Sequence, residues 1–290
     1  MAGFAENVRC LTYHQDNAKS KPNEDACDYM ITSHGDFIFA VADGVSRSVY
    51  GDPDRPWSAL PAAEKFCRLV CSSISLLGYS LQEAFAYANL WIADINEKKG
   101  IIPDTVDYLG LDYLCCEAVA GKIERGIPRR FSYGYIGDCG VLVYDKNLLP
   151  VFLSDNQVGI LEQFRDGFTF NNKSDQRFFW RRQLRNHPGE RYMTYGALTG
   201  EKAALAYVKT GSIDLEADDT AILFSDGIYP FLFDHQFRYI VTSLLQNHSG
   251  EKIIQRTMTS YINRACKKLQ EEHVGNLDDD KTFIAFAVVN

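Results

Sequence analysis

The sequence predicts an α+β layered fold in which antiparallel sheets are covered by helices. Two blocks of helical periodicity lie far apart in the chain, and short β-rich runs lie between and around them. Several of those runs are apolar at consecutive positions instead of alternating. Alternation marks a strand with one wet face, whereas a continuous apolar run marks a strand covered on both.

Phe37–Ala42 is the first β-rich run. A helix follows, because Ala63, Phe66, Val70, Ile74 and Leu77 recur at helical spacing before Gly78 ends the pattern. A second helix opens with Ser80-Leu81-Gln82-Glu83, a capping box in which each side chain satisfies an orphan backbone N–H. Its apolar stripe is Leu81, Ala84, Phe85, Ala88, Trp91, Ile92 and Ile95, and it closes on Lys98, Lys99 and Gly100. Further β-rich runs are Leu111–Val119, Phe131–Ile136, Val141–Tyr144, Ala221–Phe224 and Thr282–Val289. The second helical block has one stripe at Phe237, Ile240, Val241, Leu244 and Leu245, and another at Ile253, Met258, Tyr261, Ile262, Ala265 and Leu269. Residues 155–192 break this rhythm and carry a basic, aromatic cluster from Arg177 to Arg185. Two readings stand: a surface helix with its aromatic side on the core, or a flap facing a substrate or partner. With no internal repeat, low-complexity tract or linker, one domain over residues 1–290 is expected, with a flap or insert around 155–192.

Composition narrows the function. The 290 residues are 46% hydrophobic and 23% charged, ordinary for a folded chain, and 30 Lys+Arg against 38 Asp+Glu leave a net charge of −8. An acidic balance argues against coating nucleic acid or a membrane surface, both of which rely on positive charge. No apolar run approaches the roughly 20 residues of a membrane helix, and the N-terminus lacks the basic head and apolar middle of a signal peptide. A cytoplasmic protein is expected, with no nucleic acid or membrane partner. The eight cysteines mostly sit in apolar stretches without C-x-x-C spacing, and the six histidines are scattered. Zinc chemistry and Cys-His catalysis have no support in that pattern, and no cysteine or histidine is expected to be essential.

The informative feature is a carboxylate at the end of four strands. Phe37–Ala42 runs into Asp43-Gly44, Ala221–Ser225 into Asp226-Gly227, and Phe131–Ile136 into Gly137-Asp138, while Asp278-Asp279-Asp280-Lys281 leads into Thr282–Ala287. One Asp-Gly after a strand is ordinary turn chemistry. Four such junctions, with Asn23-Glu24-Asp25 upstream, converge if the strand ends share one rim. A cluster of that kind repels itself unless cations neutralise it. Its oxygen-only donors suit hard ions such as Mg²⁺ or Mn²⁺.

Asn23-Glu24-Asp25-Ala26, Val41-Ala42-Asp43-Gly44-Val45, Gly137-Asp138-Cys139-Gly140, Ser225-Asp226-Gly227-Ile228 and Asp279-Asp280-Lys281-Thr282 resemble, in order, the signature motifs of the metal-dependent type 2C Ser/Thr protein phosphatases, in their bacterial form. The resemblance implies a four-layer αββα sandwich, two antiparallel β-sheets flanked by helix pairs, with a two-metal centre at one end. It implies a metal-dependent protein-serine/threonine phosphatase that hydrolyses phosphomonoesters with a two-metal-activated water. Asp43 would bridge the two Mg²⁺ or Mn²⁺ ions and the Gly44 carbonyl would bind one of them. Asp226 and Asp280 would complete the first site, and Glu24 and Asp25 would serve the second. Asp138 would hold a third, weaker ion. Asp43, Asp226 and Asp280 are thus the expected catalytic carboxylates. The partners implied are a phosphorylated protein substrate and a cognate Ser/Thr kinase.

The chain departs from the family at three positions. Members typically carry Arg four residues before the first motif's Glu, where it grips the phosphate; Ser20 stands there, flanked by Lys19 and Lys21. Val45 follows Asp43-Gly44 where animal and plant members often have His, and Pro230 stands where some members have a third-metal Asp. Lys21 or Arg47 is expected to bind the phosphate in place of the absent Arg, as a point charge in the lysine case and with a bidentate fork in the arginine case. Two other functions share the motif set: a weak or inactive phosphatase-like domain that binds a partner or phosphoprotein in signalling, and a phosphatase for small phosphomonoesters.

Overall fold

The computed structural model describes residues 8–16, 23–45, 59–124, 127–163, 168–188, 193–247, 249–271, 277 and 279–288. Its strands are β1 (Val8–Gln15), β2 (Ala26–Ile31), β3 (Phe37–Gly44), β4 (Cys116–Glu124), β5 (Ile127–Ile136), β6 (Gly140–Tyr144), β7 (Pro150–Leu153), β8 (Lys209–Asp214), β9 (Thr220–Phe224) and β10 (Lys281–Val288). They pair antiparallel into two five-stranded sheets, ordered β1-β10-β9-β6-β7 and β2-β3-β4-β5-β8.

The continuous apolar runs have a direct explanation. Along β3, Phe37, Phe39 and Val41 face the opposite sheet, while Ile38, Ala40 and Ala42 face helices. Along β10, Ile284, Phe286 and Val288 enter the space between the sheets, while Phe283, Ala285 and Ala287 lie under the other helix pair. Phe39 stacks on Phe286 at 4.6 Å between centroids, one of the contacts that join the sheets. Burying each such ring stabilises the fold by about 1.5–3 kcal/mol.

Helices α1 (Leu60–Leu77) and α2 (Leu81–Lys98) cover the second sheet, and α5 (His235–Gln246) and α6 (Glu251–Glu271) cover the first. This is the αββα sandwich. The capping box forms at α2: Ser80 Oγ accepts the Glu83 N–H at 3.3 Å, and Glu83 accepts the Ser80 N–H at 2.8 Å. Gly78 ends α1 in the left-handed region. No described helix is long and apolar enough to cross a membrane.

The strand expected over Leu111–Val119 starts only at Cys116. The preceding backbone is satisfied by side chains instead of a ladder. Asp107 Oδ1 accepts the N–H groups of Leu109, Gly110 and Leu111, and Asn96 brackets Leu114 through both its N–H and its C=O.

Between β7 and β8 the chain crosses from an edge of one sheet to an edge of the other through α3 (Gln157–Gln163), α4 (Lys173–Phe179), a π turn over Trp180–Leu184 and a 3-10 turn over Lys202–Tyr207. Val158, Phe179 and Trp180 pack on Leu161, Leu184 and Tyr195 in a small core of their own. Two arginines of the basic cluster are anchors. Arg185, 2% exposed, grips Asp112 with two hydrogen bonds of 2.6 and 3.2 Å, and Arg181 reaches Asp112 at 3.3 Å and the Tyr108 carbonyl at 3.0 Å. Arg182 stays exposed, over the Phe178 ring.

Candidate metal centre

The strand ends of both sheets meet at one rim. In the β3–β4 ladder, Asp43 stands opposite Glu117 and Gly44 opposite Cys116. Asn23-Glu24-Asp25 leads into β2 beside them, held by the Gly44 N–H on the Glu24 carbonyl at 3.1 Å. β9 delivers Ser225 and Asp226, the latter opening a 3-10 turn over Asp226–Phe231 that contains Pro230. Asp279 and Asp280 precede β10, joined to β9 by the Ser225 N–H on the Thr282 carbonyl at 3.0 Å. The β5–β6 turn presents Gly137-Asp138-Cys139.

Burial is the first cause of the electrostatics here, and mutual repulsion is the second. Burial pushes Asp43 well above the carboxylate range, and Asp25, Asp226, Asp138 and Asp279 push it further. Asp226 is raised by burial and then by Asp138, Asp279 and Asp25, against a hydrogen bond with Asp43. Asp25, 2% exposed, rises to about 7 through burial, although Ser225 donates its hydroxyl to it at 2.7 Å. Asp138 is raised by burial and by Glu117, and Glu117 itself rises to about 7. Such groups share protons unless a cation takes the protons' place.

Glu24, Asp25, Asp43, Gly44, Asp138, Asp226 and Asp280 therefore lie on one rim, each with a distinct setting. Glu24 sends Oε1 to the Ala59 N–H at 2.6 Å, where Ala59 caps α1. Asp280 accepts the Glu24 N–H on Oδ2 at 2.9 Å. Asp138 and Asp226 each have a buried Oδ1 that no donor among the described residues satisfies. Lys21, Arg47, Lys19 and Ser20 lie outside the described residues.

Two acids were not legible as site residues. Asp279 bears electrostatically on Asp25, Asp43, Asp138 and Asp226. Three successive aspartates carry no cue to which of them faces inward. Glu117, 5% exposed, accepts the Asp138 N–H at 2.6 Å and packs on Gly137. A Cβ on Gly137 would fall 2.0 Å from the Glu117 carboxylate, and the backbone there has φ +82°, so glycine is required twice over. The available signal was a charge inside the apolar run Cys115–Val119.

The donors suit a divalent cation: hard carboxylate oxygens, two of them buried without a partner. Among the described residues no group of three or more His, Cys, Asp or Glu is arranged as a ready ligand set. The acids are instead engaged with one another and with Ser225.

No family model and no curated protein matches the sequence. Solved structures do match, along nearly the whole chain. The serine/threonine phosphatase of S. agalactiae is similar at 15% identity and TM-score 0.60, covering 97% of this chain and 99% of its own. PstP/Ppp, the serine/threonine phosphatase of Mycobacterium tuberculosis, is similar at 16% identity and TM-score 0.59, covering 98% and 99%. RsbX, solved with magnesium, is similar at 14% identity and TM-score 0.53, covering 98% and 96%. Over essentially its full length, this chain has the fold of the bacterial type 2C serine/threonine phosphatases.

Proposed function

We propose that this chain is a metal-dependent phosphomonoester hydrolase acting on phosphoserine or phosphothreonine in proteins. The observation that carries the reading is the rim of mutually perturbed carboxylates with two buried oxygens left unsatisfied, on Asp138 and Asp226. A buried unpaired polar oxygen is costly, and a divalent cation relieves several at once. Mg²⁺ and Mn²⁺ are the ions that fit, and they accompany RsbX and the PstP catalytic domain in solved structures.

In this reading Asp43 and the Gly44 carbonyl beside it would hold the pair of ions between them, and Asp226 would be a ligand of the first ion. Asp279 is the stronger candidate for the remaining ligand, because it bears on four other carboxylates whereas Asp280 has an oxygen committed to the Glu24 N–H. Asp25 serves the second ion, and Asp138 a third. When bound, such ions activate a water and stabilise charge on the phosphoryl oxygens. The chain's own residues hold that arrangement in place. Ser225 orients Asp25, Glu117 fixes the Asp138 backbone, and Lys281 Nζ ties the loop through the Leu277 and Asp279 carbonyls at 2.9 and 2.6 Å. The phosphate is gripped by Lys21 or Arg47.

Hydrolysis of p-nitrophenyl phosphate and of a phosphothreonine peptide with Mn²⁺, with and without chelator, tests the reading beside Asp43→Asn. Turnover lost in chelator and in the variant is expected; turnover unchanged in either sinks it. Ser20, in place of the usual phosphate-gripping Arg, favours a second reading, a domain that binds phosphoprotein without turnover. Phosphopeptide binding with no hydrolysis at any Mn²⁺ concentration would select it.

A further inference from the structure

One histidine at this rim has no part in the reading above. His14, near the end of β1, pairs with Thr282 at the start of β10. Its Nδ1 lies 2.9 Å from Thr282 Oγ1, and its Nε2 lies 2.7 Å from Asn23 Nδ2. Asn23 Oδ1 accepts the Asp25 N–H at 2.8 Å, the Thr282 N–H donates to Ser225 Oγ at 3.1 Å, and the Ser225 hydroxyl donates to Asp25 Oδ2 at 2.7 Å. Five residues thus close a hydrogen-bonded ring: Asp25 to Asn23, to His14, to Thr282, to Ser225 and back to Asp25.

The direction of every bond in the ring follows from donor and acceptor chemistry. The Asp25 N–H can only donate, so the Asn23 oxygen faces it and the Asn23 amide nitrogen faces His14. Asn23 Nδ2 also donates to Asp16 Oδ1 at 3.1 Å, which agrees with that orientation. An amide nitrogen only donates, so His14 Nε2 accepts. The neutral imidazole then carries its proton on Nδ1 and donates that N–H to Thr282 Oγ1. His14 and Thr282 belong to the first sheet, whereas Asn23 and Asp25 lead into the second, so the ring stitches the two rims together.

We propose that His14 is a positioning residue for Asp25: a ring of fixed tautomer that, through Thr282 and Ser225 on one side and Asn23 on the other, sets the carboxylate's orientation and hence its affinity for a divalent cation. The inference rests on the metal reading above and adds a residue that no motif assigns. Groups that orient a ligand carboxylate typically change metal affinity by about 10–100-fold when removed.

Two measurements test it. The ¹⁵N NMR spectrum of the imidazoles in the full chain, at mildly alkaline pH with chelator present, reads the His14 tautomer without any metal. The Nδ1–H form is expected, with loss of that form in Thr282→Val and Asn23→Ala; an Nε2–H tautomer in the native chain overturns the proposal. Calorimetric Mn²⁺ binding is the second. His14→Ala and Thr282→Val should each weaken binding by about 10–100-fold. The double variant should be no worse than the weaker-binding single variant, because both changes cut one relay. His14→Asn, whose amide N–H can stand near the Nδ1 position, should recover most of the affinity. Unchanged affinity in His14→Ala, or losses that add in the double variant, overturn the relay while leaving the metal reading intact. Absence of Mn²⁺ binding by the native chain overturns both, so the two failures are distinguishable.

Discussion

Glu117 stands opposite Asp43 in the β3–β4 ladder and accepts the Asp138 N–H, so its removal strands a buried donor. Glu117→Ala should lower stability by about 1–3 kcal/mol in urea denaturation, whereas Glu117→Gln, which keeps an acceptor, should cost less. The titration of the same residue has a definite sign. Its folded value of about 7 lies above its ordinary 4.5, so the folded chain holds a proton that the unfolded chain has released. In chelator, its contribution is fully present below about pH 4.5 and is lost as pH rises toward 7. A saturating cation, which favours the ionised form, should reverse that slope in melts at a series of pH values. The buried thiols are inert for the same physical reason. Burial pushes Cys67, Cys116 and Cys139 well up, so these cysteines should react with a disulfide reagent only after denaturant is added. Cys139→Ser should retain turnover, but it places a hydroxyl in the apolar space between the sheets at a cost of about 1–3 kcal/mol. The acids at strand ends were legible because each adjoins an apolar run. The hydroxyls of Ser225 and Thr282 were silent, because their partners Asp25 and His14 lie 200 and 268 residues away in sequence.

Among the elements, all six strands read from apolar runs are interior strands, β3, β4, β5, β6, β9 and β10. The four that those runs do not mark, β1, β2, β7 and β8, are the four edges of the two sheets. An edge strand is only partly covered, so β2 and β8 alternate between half-buried and exposed residues and resemble loops at short range. Helices were read more fully, since caps and stripes are local signals. Ser80→Ala should remove one side of the α2 capping box and lower stability by about 0.5–2 kcal/mol. The crossover between β7 and β8 behaves differently from its composition. Asp112→Ala would leave the Arg185 guanidinium buried and uncompensated, and such a break typically costs about 3–5 kcal/mol. Arg182→Ala, at the exposed member of the cluster, should leave the melting temperature nearly unchanged. A scan of these variants separates anchoring arginines from any that meet a substrate, which residue type alone could not do.

For the whole molecule, a cation that binds only the folded chain should raise its stability by mass action, about 2.7 kcal/mol at a hundredfold excess over Kd. The rise in melting temperature with Mn²⁺ should vanish in Asp43→Asn. The centre that would produce this effect is placed by the cores behind it, and β3 shows how. If β3 slid by one residue against its neighbours, both of its faces would remain apolar, so water could not penalise the error. Size would. Phe37 and Phe39 would be driven into space shaped by α1 for alanines, and Ala40 and Ala42 would leave voids between the sheets. The same slip would carry Asp43 about 3.3 Å along the strand and turn it to the opposite face. The position of a charged group at the rim is therefore set by the alternation of large and small side chains in a stretch that carries no charge at all.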